Sequence, residues 1–269
     1  MTTPVEGFRE ALRLHFERFQ RTLATEKGDW VVKGFIDIYR NIYTTSVDTK
    51  VVSKIIELML FPVISRFASE HGYKMVLAEY QNHYPDISFI APDGTKIAVD
   101  FKSTYRTSSN RVNGFTLGAF TGYFRQRQTR KNITFPYAEY SAHFVLGVIY
   151  SRSDEAVDER RVYGLEELQD IVSVINTFTF LLQEKWQIAS DKPGSGNTKN
   201  IGSVRGVEQL LSGSGPFAPY GEEVFDDYWM NYLTRDMAQA IDLENPPYRN
   251  LEEYWTWRER APRRKKEQP

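Results

Sequence analysis

The chain has 269 residues, 41% apolar and 26% charged, with no cysteine and with 34 basic side chains against 35 acidic ones. That length suits one large domain or two small ones, and the missing cysteines exclude disulfide frameworks, thiolate nucleophiles, zinc–cysteine sites and iron–sulfur clusters, so any metal must be held by oxygen or imidazole. A net charge of −1 argues at first sight against a polyanionic partner, but an average says nothing about distribution along the chain.

Residues 1–30 read as an N-terminal helical extension. Phe8, Leu12, Phe16, Phe19 and Leu23 recur at three- and four-residue spacing, and Thr3 and Glu6 form a capping box around Pro4. Residues 31–269 read as a single domain. Within it, Asp48 is a good N-cap for a helix carrying Val51, Val52, Ile55, Ile56, Met59 and Leu60, which Pro62 kinks or ends. The longest apolar run, 58–64, falls short of the roughly 20 residues that cross a bilayer, and residues 1–6 lack a basic and then apolar leader. A cytoplasmic protein with no membrane partner is expected.

From Asp86 the pattern becomes period two. Residues 86–90 and 96–102 read as strands joined through Pro92-Asp93-Gly94, a three-residue loop with glycine where a left-handed conformation is wanted. Residues 143–150 and 171–182 are further buried strands, with a charged helical segment at 164–170 between them. Gly194-Ser195-Gly196-Asn197-Thr198 and Gly213-Ser214-Gly215-Pro216 mark loops. The fold class is α/β or α+β.

The hairpin carries the chemistry. A three-residue loop sets Asp86 opposite Asp100, and strand alternation puts Asp100 and Lys102 on one face while Ile97, Val99 and Phe101 fill the other. Two facing carboxylates repel unless a cation lies between them, and a hard divalent ion, most simply Mg²⁺, suits oxygen ligands. Glu57, alone among apolar neighbours on its helix, needs a partner, which is either that metal or an arginine. By composition alone an Asp-x-Lys triplet arises about once in a chain of this size, so the weight falls on the register, and a four-residue loop would break it. The histidines His15, His71, His83 and His143 show no metal-ligand spacing. Trp255 and Trp257 read as sealing a core edge, and no nucleophile elbow supports serine catalysis.

These residues, with the text around them, resemble the PD-(D/E)xK nucleases and, within them, the EcoRV-type restriction endonucleases. The similarity runs in unbroken order from Asp48-Thr49-Lys50-Val51 through Glu57, Gln81-Asn82-His83-Tyr84-Pro85-Asp86 and Asp100-Phe101-Lys102. It continues through Phe115-Thr116-Leu117-Gly118, the block from Gly194 to Ser203, and Tyr228-Trp229 with Asn231-Tyr232. The resemblance implies a restriction-endonuclease-like core with a mixed central β-sheet flanked by helices, a catalytic core at about 46–150, a DNA-recognition loop at about 190–203 and a C-terminal helical and basic segment at about 222–269. Asp86 and Asp100 would be the Mg²⁺-binding acids, Lys102 the catalytic lysine and Glu57 the accessory acid and third metal ligand. Gly194, Ser195, Gly196, Asn197, Thr198 and Asn200 would read bases, with Gln81, Asn82, Lys50 and Thr104 as further DNA contacts. The residue types suit that role, since two glycines permit close approach, Asn197 can bond an adenine edge and the Thr198 methyl can touch thymine.

The implied activity is that of a homodimeric type II restriction endonuclease. It would cut double-stranded DNA at a palindrome, GATATC with blunt ends if the base contacts carry over, leaving 5′-phosphate and 3′-hydroxyl ends. A cognate DNA methyltransferase acting on the same site is implied with it. A nuclease of the same superfamily acting on junctions or ends is the alternative, followed by an inactive DNA-binding relative. Residues 1–30 have no counterpart in the family pattern, and Lys199 and Asp191-Lys192-Pro193 depart from it. Charge distribution agrees with DNA. Between Phe101 and Ala138 stand seven basic residues, Lys102, Arg106, Arg111, Arg125, Arg127, Arg130 and Lys131, with no acid, and residues 192–207 hold three bases and no acid.

Overall fold

The computed structural model describes residues 2–155, 158–194 and 199–260. The chain opens with two helices, α1 (Pro4–Arg13) and α2 (Phe16–Leu23), where the apolar spacing predicts one. The expected capping box starts α1: the Thr3 hydroxyl accepts from the Glu6 amide at 3.2 Å, and the Glu6 carboxylate accepts from the Thr3 amide at 3.0 Å. At the break the His15 ring bonds back to the Ala11 carbonyl at 3.0 Å, and Leu14 turns out to solvent. The two short helices thereby present Phe8 and Leu12, then Phe19 and Leu23, to one core. All four are fully buried, with Trp30, against the sheet and the long helix. The segment expected as an appended extension is therefore part of the main core.

A small antiparallel pair, β1 (Gly34–Ile36) and β2 (Ile42–Thr44), leads into α3 (Thr49–Glu70). The Asp48 carboxylate caps α3, accepting from the Lys50 and Val51 amides at 2.9 and 3.2 Å. The helix continues through Pro62 to Glu70 and does not end there. Leu58, whose carbonyl loses its partner to Pro62, and Pro62 itself are both exposed, so water can satisfy that carbonyl.

Then come β3 (Lys74–Leu77), β4 (Ile87–Ile90), β5 (Lys96–Ser108), β6 (Arg111–Val112), β7 (Thr116–Ala119), β8 (Tyr140–Arg152), β9 (Val162–Tyr163) and β10 (Ile175–Glu184). The charged segment before β10 is a 3₁₀ helix, Leu165–Asp170. A short helix α4 (Lys185–Ile188) precedes β11 (Ala189–Pro193) and β12 (Asn200–Ser203). Helices α5 (Val207–Ser212), α6 (Glu222–Asn231), α7 (Arg235–Gln239) and α8 (Leu251–Arg260) complete the described chain.

The central sheet runs β10-β8-β5-β4-β3, with β6 paired to β5. It is mixed, because β5 and β8 are parallel while the other pairs are antiparallel. Strand alternation divides its side chains between two cores. Ile97 and Val99 of β5, with Phe144, Leu146 and Val148 of β8, face α1, α2 and α3. Ala98, Val145 and Ile149 face the second core, built with β7, β12 and the C-terminal helices. Trp255 and Trp257 pack at the edge of that second core, as the sequence suggests. Two small sheets flank the main one, β1-β2-β9 and β11-β12-β7. Among the described residues no helix is long and apolar enough to cross a membrane.

Candidate active site

The site begins with the β4–β5 hairpin. The Ala91 amide donates to the Thr95 carbonyl and the Gly94 amide to the Ala91 carbonyl, both at 2.9 Å, which closes Pro92-Asp93-Gly94 as the loop. Gly94 has φ 89°, a left-handed conformation that a side chain would disfavour. The ladder from Ile90↔Lys96 to Ile87↔Val99 then brings Asp86 level with Asp100, the register expected from the sequence.

At the end of the hairpin the Lys102 ammonium pairs with Asp100 Oδ2 at 2.6 Å, donates to the Phe101 carbonyl at 2.9 Å, and stands 4.0 Å from Asp86 Oδ2. Asp86 Oδ2 accepts from the Phe101 amide at 2.6 Å. Asp100 is the deepest of the three, its side chain 7% exposed against 25% for Lys102 and 36% for Asp86. Burial, reinforced by the Asp100 charge and opposed by Lys102, pushes the Asp86 carboxyl up to about 7. Burial alone would lower Lys102, but the Asp100 and Asp86 carboxylates outweigh it and hold the ammonium above its ordinary value. Two carboxylates sharing one ammonium, with one of them retaining its proton unusually well, form a donor set short of positive charge. That chemistry fits a hard divalent cation.

The pair is braced from behind by aromatic rings. The Tyr84 hydroxyl bonds the His143 ring at 2.9 Å, and Tyr84 stacks on Tyr123 with centroids 5.1 Å apart. His143 in turn stacks on Tyr137 at 3.7 Å, and burial pushes its imidazole well below its ordinary value. Lys185, almost fully buried, lies over the Tyr84 ring at 4.1 Å. The sequence carries no sign of this bracing, because Lys185 stands in an ordinary charged stretch and His143 inside an apolar strand.

A cleft of about 730 Å³ opens beside the pair and is lined by Lys54, Glu57, Gln81, Asp86, Phe101 and Lys102 among others. Four of the residues singled out in the sequence thus share one cavity. Glu57, however, is not the buried, needy carboxylate expected. It is 39% exposed and pairs with Lys54 at 2.8 Å, one helical turn back, in place of an arginine. Among the described residues no group of three or more His, Cys, Asp or Glu is arranged to hold a metal, so Glu57 stands apart from Asp86 and Asp100. Gln81 and Asn82 are exposed on a turn closed by the His83 amide on the Tyr80 carbonyl at 2.9 Å. Lys50 is exposed at the start of α3. Thr104 differs from expectation: it lies on the same strand face as Asp100 and is buried, not open to a ligand.

The glycine-rich block falls between β11 and β12. Its legs are antiparallel, with Gly194 N–H donating to the Asn200 carbonyl at 2.9 Å, and a Cβ at Gly202 would come within 2.8 Å of the Gly194 Cα, so the approach requires glycine. Ser195, Gly196, Asn197 and Thr198, expected to read bases, lie outside the described residues. β12 also pairs with β7, which joins the glycine-rich block to the Phe115-Thr116-Leu117-Gly118 segment. A second cavity of about 340 Å³ at the foot of this hairpin is lined by Arg111, Lys192 and Arg205. Tyr228 and Trp229 are buried and support the hairpin from below, the Tyr228 hydroxyl donating to the Asp191 carbonyl at 2.7 Å.

Comparison with known proteins agrees with this geometry. Residues 26–259 match the family described as restriction endonuclease EcoRV. The chain is 37% identical over 238 residues to the type II restriction enzyme EcoRV of Escherichia coli, an alignment covering 87% of this chain and 94% of that protein. The family match begins after α1 and α2, the segment that has no counterpart in the sequence pattern.

Proposed function

The chain belongs to the EcoRV restriction endonuclease family, and from that premise we propose a Mg²⁺-dependent homodimeric enzyme that hydrolyses both strands of a short DNA palindrome. The observation that carries the reading is the Lys102 ammonium shared between Asp100 and Asp86 beside a cleft that also holds Glu57 and Gln81. Asp86 and Asp100 would hold the ion. Bound there, Mg²⁺ supplies charge neutralisation for the phosphoryl oxygens and makes the attacking water easier to deprotonate. Lys102 orients that water and stabilises negative charge gathering on the phosphate. Its raised proton affinity favours the charge-stabilising part of that role over service as a base. Glu57, on the same cleft but apart from the pair, is the accessory acid, acting at a distance on charge and water.

Cleavage is proposed to leave 5′-phosphate and 3′-hydroxyl ends. The base-reading segment is Gly194 to Thr198 with Asn200, and GATATC cut at its centre is the target, since the Gly-Ser-Gly-Asn-Thr block is the part of the resemblance that concerns bases. Arg111, Lys192 and Arg205 at the foot of that segment suit flanking phosphates. A palindrome calls for a two-fold dimer, and the exposed Phe35, Ile36, Ile38 and Tyr39 around the β1–β2 hairpin offer an apolar surface for a second copy. A methyltransferase protecting the same sequence completes the proposal.

Digestion of a plasmid of known sequence with Mg²⁺, followed by mapping of the ends, tests activity, site and cut position together. Discrete fragments with blunt ends at GATATC, abolished by a chelator, are expected. Cleavage confined to junctions or ends would replace sequence specificity with structure specificity, and intact plasmid at every site would end the catalytic reading.

A further inference from the structure

Lys185 is 1% exposed, yet its ammonium has no hydrogen-bond partner. A buried ammonium left in that state is costly unless other groups hold its charge. Aromatic faces do part of this, the Nζ lying 4.1 Å from the Tyr84 ring centre and 5.6 Å from that of Tyr137.

The sheet explains how this residue of α4 comes near the carboxylates. Gln183 of β10 pairs with Val145 of β8, and Val145 pairs with Asp100 of β5, so the end of β10 runs level with the carboxylate-bearing part of the hairpin. Val145 and Tyr84 belong to the second core, on the same side of the sheet as Ala98, and strand alternation puts Asp100 on that side as well. Burial pushes Lys185 down to about 8, and among the charges opposing that fall Asp100 acts most strongly. The cluster accordingly contains the carboxylates Asp86 and Asp100 and the ammonium of Lys102 beside the cleft, then Lys185 within the core, which also faces Arg127 as a like charge and Asp226 as an opposite one. The chemistry of phosphodiester hydrolysis uses the first three and gives Lys185 no part.

We propose that Lys185 is a positioning residue for the carboxylate pair, a buried countercharge seated on Tyr84 that offsets the pair's negative charge, so that a divalent cation binds the free protein against an internal competitor. Lys185 does not line the cleft and acts through Asp100 and through Tyr84, two residues before Asp86. The inference rests on Asp86 and Asp100 being the cation's ligands.

Mn²⁺ binding to the DNA-free protein, followed by the electron paramagnetic resonance signal of the free ion, tests it. Lys185→Met and Lys185→Gln both remove the charge, one keeping an apolar stem and the other a polar end. In each, Mn²⁺ affinity is expected to rise by roughly three- to thirtyfold, the scale of removing one like charge from a partly screened interior. Melting without metal should be unchanged or raised, because an unpartnered buried charge has gone. Unaltered or weaker Mn²⁺ binding in whichever variant folds overturns the proposal. Loss of the folded state in both also overturns it and makes Lys185 a core residue only. If the wild-type protein and Asp100→Asn alike bind no Mn²⁺, it is the reading of the carboxylate pair that fails.

Discussion

Lys102 pairs with Asp100 Oδ2 at 2.6 Å and stands 4.0 Å from Asp86 Oδ2, so one ammonium lies within ion-pair reach of both carboxylates. Asp100 therefore stands against both the proposed catalytic lysine and the proposed ion. Asp100→Ala should abolish cleavage in Mg²⁺ while leaving specific DNA binding measurable by gel shift. Cleavage surviving at more than a few per cent of the wild-type rate would remove Asp100 from the chemistry.

Lys102→Met separates chemistry from binding. An ammonium that stabilises developing charge contributes mainly to the transition state, so the single-turnover rate on bound DNA should fall by about 10²-fold or more. The dissociation constant for the specific duplex should change little. The reverse pattern, weaker binding with unchanged turnover of bound DNA, would make Lys102 a phosphate clamp.

The Asp86–Asp100 register is legible in the amino-acid sequence because a loop of fixed length determines every pair in its hairpin, and alternation then assigns faces. Glu57 departs from expectation for the opposite reason. Its apolar neighbours in sequence indicate burial, but a helix turns by 100° per residue, and Lys54 and Glu57 share the exposed face between buried Val52, Ile56 and Leu60. Likewise the periodicity of Phe8 to Leu23 identifies an apolar face without specifying what covers it. Lys185 and His143 leave no signature, since their neighbours Tyr84 and Tyr137 stand far from Lys185 in sequence and outside any strand, and only the folded chain brings them together.

Asp86 gives stability a pH dependence of unusual sign for a carboxyl group. Its value of about 7 in the folded protein lies above the unfolded value of about 4. The folded chain therefore binds the proton more tightly between these values, so the contribution is complete below the unfolded value and is lost as pH rises through the folded one. Asp86→Asn should melt with the wild type near pH 4 and above it at pH 8 without metal. The difference at pH 8 should be ~1 kcal/mol once solvent screening is discounted for a side chain 36% exposed. Divalent ion should narrow the gap by stabilising the ionised wild-type site. A gap that widened toward acid would contradict the assignment.

Phe8 tests whether the N-terminal helices belong to the core. Its ring is fully buried among Phe67, Tyr73, Phe89 and Phe144, with centroids 5.0 to 5.8 Å away, so it bridges α1, α3 and the sheet. Phe8→Ala should cost about 3 to 5 kcal/mol of unfolding free energy, a cavity effect in a packed interior. Denaturant titration measures it. A loss below about 1 kcal/mol would return the segment to the status of an appendage.

Specificity should reside in a side chain that carries no charge. Asn197 falls in sequence between β11 and β12, which approach each other at Gly194 and Gly202, and a bidentate contact to adenine would discriminate one base without touching phosphate. Asn197→Ala should weaken binding to the specific duplex by about 1 to 3 kcal/mol, spare binding to random DNA and leave the salt dependence of both unchanged. Lys192→Ala, at the foot of the same hairpin, should behave oppositely, weakening binding to every sequence and lowering the salt slope by about 1 because one phosphate contact is lost. Fluorescence anisotropy of the two variants on matched and random duplexes at several salt concentrations separates the roles. An equal loss on both duplexes for Asn197→Ala would assign that residue to the backbone and leave base reading to its neighbours.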